Sequence, residues 1–296
     1  MQRAIIKVLD KKKIYRVFVK LIKLISGILG DRISSKMLAN LSVDLTPIKC
    51  IKTSYGALHF FSPGSITLSR SKLFFTNEPD TLSWIDGFED NAVFWDIGAN
   101  VGVFSLYAAQ VKSTRVLSFE PASINYYVLT RNIEINKMDK RISAYCIAIG
   151  DVSKIGSLNM VHTSIGGARH EFGDSKEDII PEGESVLSKV VFHQAVMGFS
   201  IDDFISRFNS PFPNYIKIDV DGNEDRIIDG ASQTINDTRL KSIHMELDTK
   251  DKESCKRIID ILEKAGLQYI CKRYASESTS GKYSLIYNHT FVRKEK

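Results

Sequence analysis

Two short apolar runs, each leading into a polar turn, form the clearest pattern along this chain. Val93, Phe94 and Trp95 predict a buried parallel strand, because all three side chains are apolar. Residues 96–102 then predict a turn, and residues 101–110 a helix whose first amides face it. A second strand is predicted at residues 115–119. The pattern therefore predicts a strand–helix–strand unit with a crevice at the carboxyl ends of its strands.

The polar residues at this crevice indicate a nucleoside ligand. Gly98 and Gly102 allow the backbone to approach a ligand closely, because no Cβ is in the way. Glu120, followed by Pro121, comes directly after the second strand. An acid at that position can accept hydrogen bonds from both hydroxyls of a ribose.

The glycine spacing distinguishes between nucleoside cofactors. A dinucleotide site uses G-x-G-x-x-G to bring a helix N-terminus onto a pyrophosphate. Here Gly98 and Gly102 are spaced G-x-x-x-G, with Asn100 between them. Asp96 stands at the mouth, where it would repel a pyrophosphate but tolerate a cationic sulfonium ligand with an ammonium group. These residues favour S-adenosylmethionine, and the alternative is an ordinary strand-to-helix turn with a solvated acid.

A second group of acids follows another predicted buried strand, at residues 215–220. Asp219, Asp221 and Glu224 surround this strand-to-helix junction, and Asp219 should share the crevice with Asp96 because parallel strands end at the same edge. One of these acids could take a proton from a hydroxyl acceptor. The cluster could instead bind a divalent cation, which we do not expect, and we assign no metal ligand. Capped turns with solvated carboxylates are the simpler alternative, above all for Glu224.

The next predicted strand, at residues 242–247, carries His244 and Glu246 in an apolar run. Buried polar groups cost free energy unless they have partners, so both side chains could face the crevice. His244 could equally be a satisfied histidine of the core.

The remaining pattern alternates strands with helices, which predicts an α/β doubly wound, mostly parallel sheet over residues 43–296. Residues 142–148 predict its third strand, and residues 224–233 a helix. Strands at 157–161 and 186–192 bracket a polar loop. The last two strands, at 267–271 and 283–292, follow each other closely and predict an antiparallel pair.

Residues 1–42 form a separate helical extension with a basic, amphipathic pattern. Apolar residues recur at helical spacing between Ile14 and Leu29, and the opposite side carries Lys13, Arg16, Lys20 and Lys23. The charges are too frequent for a membrane-spanning helix. Residues 13–29 could dock on the domain formed by residues 43–296 or attach peripherally to an anionic membrane surface.

Composition narrows the class of protein only slightly. An apolar fraction of 43% is normal for a globular chain, and a net charge of +5 gives no sign of nucleic-acid binding. The four cysteines are scattered without a CxxC motif, which predicts reduced thiols and a weak case for zinc. No signal peptide is evident, so we expect a cytoplasmic protein, with the inner membrane face as the site of any attachment. The oligomeric state is not encoded in any visible pattern.

The chain resembles the FkbM family of S-adenosylmethionine-dependent methyltransferases over residues 75–250. The matching segments are EPDT at 78–81, WDIGANVG at 95–102, FEP at 119–121, KIDVDGNE at 217–224 and MEL at 245–247. The resemblance implies a class I methyltransferase fold, a roughly seven-stranded Rossmann-like sheet with a reversed last strand. It also implies methyl transfer, usually to a hydroxyl of a sugar or polyketide. The family commonly has glutamate where Asp221 stands, so a catalytic role there is less secure.

We therefore expect an O-methyltransferase acting on a hydroxyl of a small molecule or glycan. Asp96, Gly98, Asn100 and Gly102 would hold the methionine portion of S-adenosylmethionine, Glu120 and Pro121 the ribose, and Ala148 would border the adenine. The catalytic candidates are Asp219, Asp221 and Glu246. The alternative is a non-catalytic, membrane-associated nucleoside-binding module with the same fold. The acids at two strand ends argue against it, because a protein without catalytic activity does not require both groups.

Overall fold

The computed structural model describes residues 11–174, 189–220, 222–274 and 286–294. They form two compact units, of which one ends at Pro47 and the other begins at Ile48. The first unit holds helix α1 (Lys11–Ile28), which contains the amphipathic pattern of residues 13–29, and helix α2 (Asp31–Asp44). Gly30 lies between them with a φ of +74°, a backbone conformation that glycine adopts without strain.

The first unit exposes a large apolar surface. Val17 and Phe18 of α1 are 64% and 62% exposed, and Val43 of α2 is 70% exposed. The basic residues Arg16 and Lys20 of α1 are exposed as well. In the described part of the chain, no helix combines the length and the hydropathy that a bilayer crossing requires.

The second unit alternates strands and helices. Its elements are, in chain order, β1 (Ile48–Thr53), β2 (Gly56–Phe61), α3 (Ser65–Asn77), α4 (Pro79–Asp86), β3 (Val93–Ile97), α5 (Val103–Gln110), β4 (Arg115–Phe119), α6 (Ser123–Ile135), β5 (Ile142–Tyr145), β6 (Ala148–Ile149), β7 (Lys154–Met160), β8 (His170–Gly173), β9 (Phe192–Phe199), α7 (Ile201–Phe208), β10 (Tyr215–Ile218), α8 (Glu224–Asp229), α9 (Ser232–Asn236), β11 (Ser242–Asp248), α10 (Lys252–Lys264), β12 (Leu267–Tyr274) and β13 (Ile286–Arg293).

The main sheet has seven strands in the order β12-β13-β11-β10-β3-β4-β5. Five neighbouring strands, β11, β10, β3, β4 and β5, are mutually parallel. Strand β13 is antiparallel to both β11 and β12. The mostly parallel sheet with a reversed last strand is therefore confirmed, as is the antiparallel pairing of the final two strands. The carboxyl ends of β3, β4 and β10 meet at one edge, because these strands are neighbours running in the same direction.

Two apolar cores cover the two faces of this sheet. Phe94 belongs to one core, with α4, α5 and α6, while its neighbour Trp95 belongs to the other, with α7, α8 and α10. Successive side chains of a strand point to opposite faces, so a strand covered on both sides is apolar at consecutive positions. This explains the continuous apolar run of β3.

A second sheet of four strands, in the order β6-β9-β7-β8, differs from the sequence expectation. The single strand predicted at 142–148 is wrong, because the chain leaves the main sheet after Tyr145 and enters the small sheet at Ala148. Part of the strand predicted at 186–192 lies outside the described residues, and β9 begins at Phe192. The helix predicted at 224–233 is two short helices, and Gly230 between them packs closely against the backbone of Gly150.

Gly98 should be indispensable for this fold. It has a φ of +82°, and a Cβ at this position would lie 1.9 Å from the carbonyl oxygen of Asp219. We expect Gly98→Ala to lower the free energy of unfolding by about 2–5 kcal/mol, because it adds both backbone strain and a clash. Urea denaturation measures this loss.

The matched control is Gly64→Ala, since Gly64 has extended backbone and no atom within 4 Å of a Cβ. It should lower the free energy of unfolding by at most about 1 kcal/mol, because Gly64 is the N-cap of α3 and alanine is less favourable there. Equal midpoints for the two variants would contradict the close contact between the turn after β3 and the end of β10.

Candidate active site

The turn after β3 is held against the end of β4 by backbone hydrogen bonds. The amides of Gly98 and Ala99 both donate to the carbonyl of Phe119, at 2.9 and 3.0 Å. Asn100 and Gly102 have φ values of +50° and +83°, so the turn needs left-handed backbone at both positions. Helix α5 begins directly after Gly102. The turn therefore brings the backbone amide of Asn100 beside Glu120.

Glu120 is buried, with 5% of its surface exposed, and both carboxylate oxygens accept backbone hydrogen bonds. One accepts from the amide of Asn100 at 2.8 Å and the other from the amide of Ala122 at 2.9 Å. Burial raises the pKa of Glu120 to about 7, although the hydrogen bonds from Ala122 and Asn100 act in the opposite direction. The carboxyl group is thus poised between its two protonation states at neutral pH.

A cavity opens beside this turn, and the empty space there, including the open solvent at its mouth, is about 570 Å³. Six of the residues predicted from the sequence line it: Gly98, Asn100, Glu120, Pro121, Ala148 and Asp219. The side-chain oxygen of Asn100 is buried and has no hydrogen-bond partner among the described residues. The structure therefore joins the ends of β3, β4 and β10 into one site with unused hydrogen-bonding capacity.

A further part of the cavity lining comes from β7 and β8 of the small sheet, which sequence reasoning did not assign to the site. Leu158, His170 and Phe172 line it from β7 and β8, together with residues 167 and 168 of the preceding loop. The carbonyl of Gly167 accepts hydrogen bonds from the side-chain amides of Asn100 and Asn125, at 2.8 and 2.9 Å. Asn100, in the turn after β3, and Asn125, in α6, thus hold the loop in place.

Asp96 does not line the cavity. It lies within β3 and is 1% exposed, and its carboxylate accepts a hydrogen bond of 2.5 Å from Ser105 of α5. Ser118 of β4 donates in turn to the Ser105 hydroxyl at 2.7 Å. Burial raises the pKa of Asp96, in spite of the nearby charge of Lys217. The carboxylate therefore acts on α5 rather than at the cavity surface, because strand alternation turns it to the α5 face.

Gly102 and Glu246 also lie away from the cavity lining. A Cβ on Gly102 would come within 2.4 Å of Leu129 in α6, so this glycine allows close helix packing. Glu246 is half-buried in β11 and is the register partner of Asn288. Asp221 lies outside the described residues.

Lys217 is a functional candidate that the sequence motif contained without revealing its role. Its side chain is 3% exposed, and its ammonium group donates to Asp219 at 2.6 Å. Burial by itself would lower the pKa of Lys217, but Asp219, Glu78 and Asp96 together raise it above its ordinary value. The lysine is therefore charged. A lysine between two isoleucines of a buried strand is the signal that could have identified it.

The same lysine controls the protonation of Asp219. Burial acts to raise the pKa of this carboxyl group, but the charge and hydrogen bond of Lys217 outweigh it, and the pKa lies below the ordinary value. Asp219 is 27% exposed. It is therefore an ionised carboxylate at the cavity surface.

A buried hydrogen-bond chain continues from this cluster along the sheet. The hydroxyl group of Thr81 in α4 donates a hydrogen bond of 3.0 Å to Glu78. The same hydroxyl oxygen forms a hydrogen bond of 3.0 Å with the Nε2 atom of His244. Burial, reinforced by the charge of Lys217, lowers the pKa of His244 to about 3, so the ring is neutral. His244 is thus a satisfied buried histidine, which was one of the two alternatives that the sequence left open.

A family comparison agrees with this geometry. Residues 96–269 match the family model described as the Methyltransferase FkbM domain. The chain belongs to this family. The class I methyltransferase fold expected from the sequence motifs is therefore confirmed, with the reversed strand β13 as its characteristic feature.

Individual relatives are distant. A segment of 79 residues is 34% identical to methyltransferase sdnD of Sordaria araneosa, covering 26% of this chain and 30% of that protein. A segment of 167 residues is 23% identical to the hexuronic acid methyltransferase AglP of Haloferax volcanii, covering 55% of this chain and 60% of that protein. The matches thus span less than two thirds of either curated relative.

Among solved structures, methyltransferase FkbM from Methylobacillus flagellatus KT has a TM-score of 0.45 and 18% sequence identity. The match covers 69% of this chain and 44% of that one.

The described residues of the present chain contain no group of three or more histidine, cysteine or acidic side chains suited to a metal ion.

In this FkbM-family site, we expect the charge of Lys217 to make a large contribution to the free energy of unfolding. Lys217→Met leaves buried carboxylates without their counter-charge, so we expect a loss of about 3–5 kcal/mol in the free energy of unfolding. Chemical denaturation at pH 7 measures it.

Lys241→Met is the control, because Lys241 forms its ion pair with Glu89 at the surface. We expect a change of at most about 1 kcal/mol for this exposed pair. A similar, small loss for both variants would show that the buried carboxylates do not depend on Lys217.

Proposed function

We propose that this protein is an S-adenosylmethionine-dependent O-methyltransferase that acts on a hydroxyl group of a sugar or glycan. The observation that carries the proposal is one cavity that joins the buried carboxyl group of Glu120 to the ionised carboxylate of Asp219. The first suits a ribose, and the second suits a hydroxyl acceptor. Membership of the methyltransferase family supports the type of reaction.

The residues present fit the cofactor. The cavity lining combines a carboxylate, a buried amide oxygen and several apolar side chains, which is the composition typical of small-molecule sites. Glu120 retains acceptor capacity after its two backbone bonds, since a carboxylate offers about four lone-pair positions. The buried oxygen of Asn100 has no partner within the described chain and could accept from a ribose hydroxyl or an ammonium group. Ile147, Ile149 and Phe172 add an apolar surface for a base.

The cofactor supplies a methyl group on a positively charged sulfur, and the protein's residues align the acceptor. In our proposal Gly98 and Asn100 hold the aminoacyl portion, Glu120 and Pro121 hold the ribose, and Ala148 borders the adenine. Asp96 supports this arrangement indirectly through Ser105. Gly102 does so by setting the start of α5.

Asp219 would accept a hydrogen bond from the acceptor hydroxyl and direct its oxygen toward the methyl group. A carboxylate with a lowered pKa is a weak base, so orientation rather than early proton removal would be its main contribution. Glu246 lies one strand further, on the same sheet face as His244, and we propose that it contacts the acceptor. Asp221 remains a candidate on sequence grounds alone.

A sugar acceptor is suggested by one relative, which is named a hexuronic acid methyltransferase. The direct test incubates the protein with S-adenosylmethionine carrying a tritiated methyl group and a panel of hexoses, hexuronic acids and glycan fractions from its own source. We expect label that withstands mild alkali, because a methyl ether does so and a methyl ester does not. Alkali-labile label would assign a carboxyl acceptor, and no transfer to any member would favour a binding module.

The raised pKa of Glu120 predicts that cofactor affinity depends on pH. Ribose hydroxyls bind the ionised carboxylate more strongly, so affinity for S-adenosylhomocysteine should rise toward pH 7 and level off above it. Below that pKa the increase approaches about tenfold per pH unit. Calorimetry between pH 5.5 and 8.5 measures it.

Glu120→Gln removes the titrating group while keeping its size. This variant should bind S-adenosylhomocysteine about 10- to 100-fold more weakly at pH 8, with a flat pH profile. Wild-type affinity in the variant would remove Glu120 from the ribose site.

Asp219→Asn should lower turnover by about 100-fold or more on an acceptor found in the panel, while affinity for S-adenosylhomocysteine changes less. The neutral amide is a weaker hydrogen-bond acceptor than the carboxylate and can present its NH2 group instead, so it aligns the hydroxyl less well. Asp225→Asn, at the first turn of α8, is the matched control and should keep turnover within about twofold. Equal turnover in both variants and the wild type would exclude Asp219 from acceptor alignment.

We also propose that residues 13–29 attach the protein peripherally to the inner, anionic face of a membrane. The exposed apolar residues of α1 and α2 favour insertion at the lipid interface, and the exposed basic residues favour anionic headgroups. This would hold the enzyme near lipid-linked or surface glycans.

Full-length protein should therefore co-sediment with vesicles of phosphatidylglycerol and phosphatidylcholine. Reversing two charges, in Arg16→Glu/Lys20→Glu, should weaken binding by at least about 2 kcal/mol, or roughly 30-fold. The control Lys137→Glu/Lys140→Glu alters exposed charges elsewhere and should bind normally. If the unaltered protein does not co-sediment, the attachment is excluded.

A further inference from the structure

His170 is a cavity residue whose buried ring nitrogens lack hydrogen bonds of standard geometry. It is the first residue of β8 and lines the cavity beside Ala168 and Phe172. Both ring nitrogens are buried and make no hydrogen bond of standard geometry within the described part of the chain, although the backbone of Arg169 also acts on the pKa of the ring. The ring meets that of His162 edge-on at 5.2 Å, a contact that satisfies neither nitrogen of His170.

A buried imidazole ring of this kind is stabilised when a polar group in the cavity forms a hydrogen bond with it. Burial, with a further contribution from His162, lowers the pKa of His170 to about 4, so the imidazole is neutral at pH 7. A neutral imidazole has one donor and one acceptor nitrogen. Leaving either nitrogen without a partner in a buried site is unfavourable, and a bound ligand could supply the missing hydrogen bond.

The surroundings of His170 indicate which part of a ligand it meets. Phe172, two residues along β8, shares its strand face and lies about 7 Å away. Phe172, Leu158, Ile147 and Ile149 form the apolar part of the cavity lining. A flat base would cover this apolar surface, while the ribose would remain at Glu120. The polar edge of the base would then extend toward His170.

We propose that His170 donates or accepts a hydrogen bond at the adenine edge of the bound nucleoside and thereby contributes to recognition of the base. The two ring nitrogens point in divergent directions, so the adenine satisfies one of them. This inference rests on the proposed cofactor and adds a contact from the small sheet, which lies outside the strand-end motifs.

The test compares three ligands by calorimetry in the full-length protein. S-adenosylhomocysteine has base, ribose and amino acid; methylthioadenosine lacks the amino acid; S-ribosylhomocysteine lacks the base. His170→Phe keeps a ring of similar size but removes both nitrogens. We expect it to weaken the first two ligands by about tenfold and to leave S-ribosylhomocysteine unchanged. His170→Asn, which retains a donor and an acceptor, should recover part of the loss.

His162→Phe is the matched control, because His162 is adjacent but does not line the cavity. It should bind all three ligands as the wild type does. An equal loss for all three ligands in His170→Phe, or unchanged binding of S-adenosylhomocysteine, would overturn the adenine contact. If the wild type binds none of the ligands, the proposed function itself fails, which is a separate result.

Discussion

The buried ammonium group of Lys217 is the charge on which the carboxyl edge of the sheet depends. It is 2.6 Å from Asp219 and is also stabilised by Glu78 and Asp96, two further acids in its surroundings. Three carboxyl groups could not be gathered there without a counter-charge, because each would be desolvated next to like charges. The lysine thus allows Asp219 to stay ionised at the cavity while Asp96 supports the start of α5.

This arrangement divides the site into two chemically different parts. Glu120 has no ion-pair partner at hydrogen-bond distance within the described chain, and its pKa rises to about 7, whereas Asp219 is paired and its pKa falls. In our proposal, a carboxyl group with a pKa of about 7 receives the ribose hydroxyls of the cofactor. A permanently ionised one suits alignment of an acceptor. The two pKa values differ mainly because Lys217 pairs with Asp219 and not with Glu120.

The sequence was sufficient for the parts of the site that strand-end geometry determines. Parallel strands end at one edge, so the turn at Gly98, the acid Glu120 and the acid Asp219 could be brought together from their positions after three apolar runs. Asp96 was expected at the same edge, but it precedes the end of β3 by one residue, and strand alternation turns it to the α5 face. The wall formed by Leu158, His170 and Phe172 could not be predicted, because short strands reveal neither their pairing nor the surface that they cover.

A crystal structure of the protein with S-adenosylhomocysteine tests the central claim most directly. The ribose hydroxyls should lie within hydrogen-bond distance of the Glu120 carboxylate, with the adenine on the Phe172 side and the sulfur facing Asp219. A nucleoside bound outside this cavity, or inside it with its ribose away from Glu120, would contradict the account.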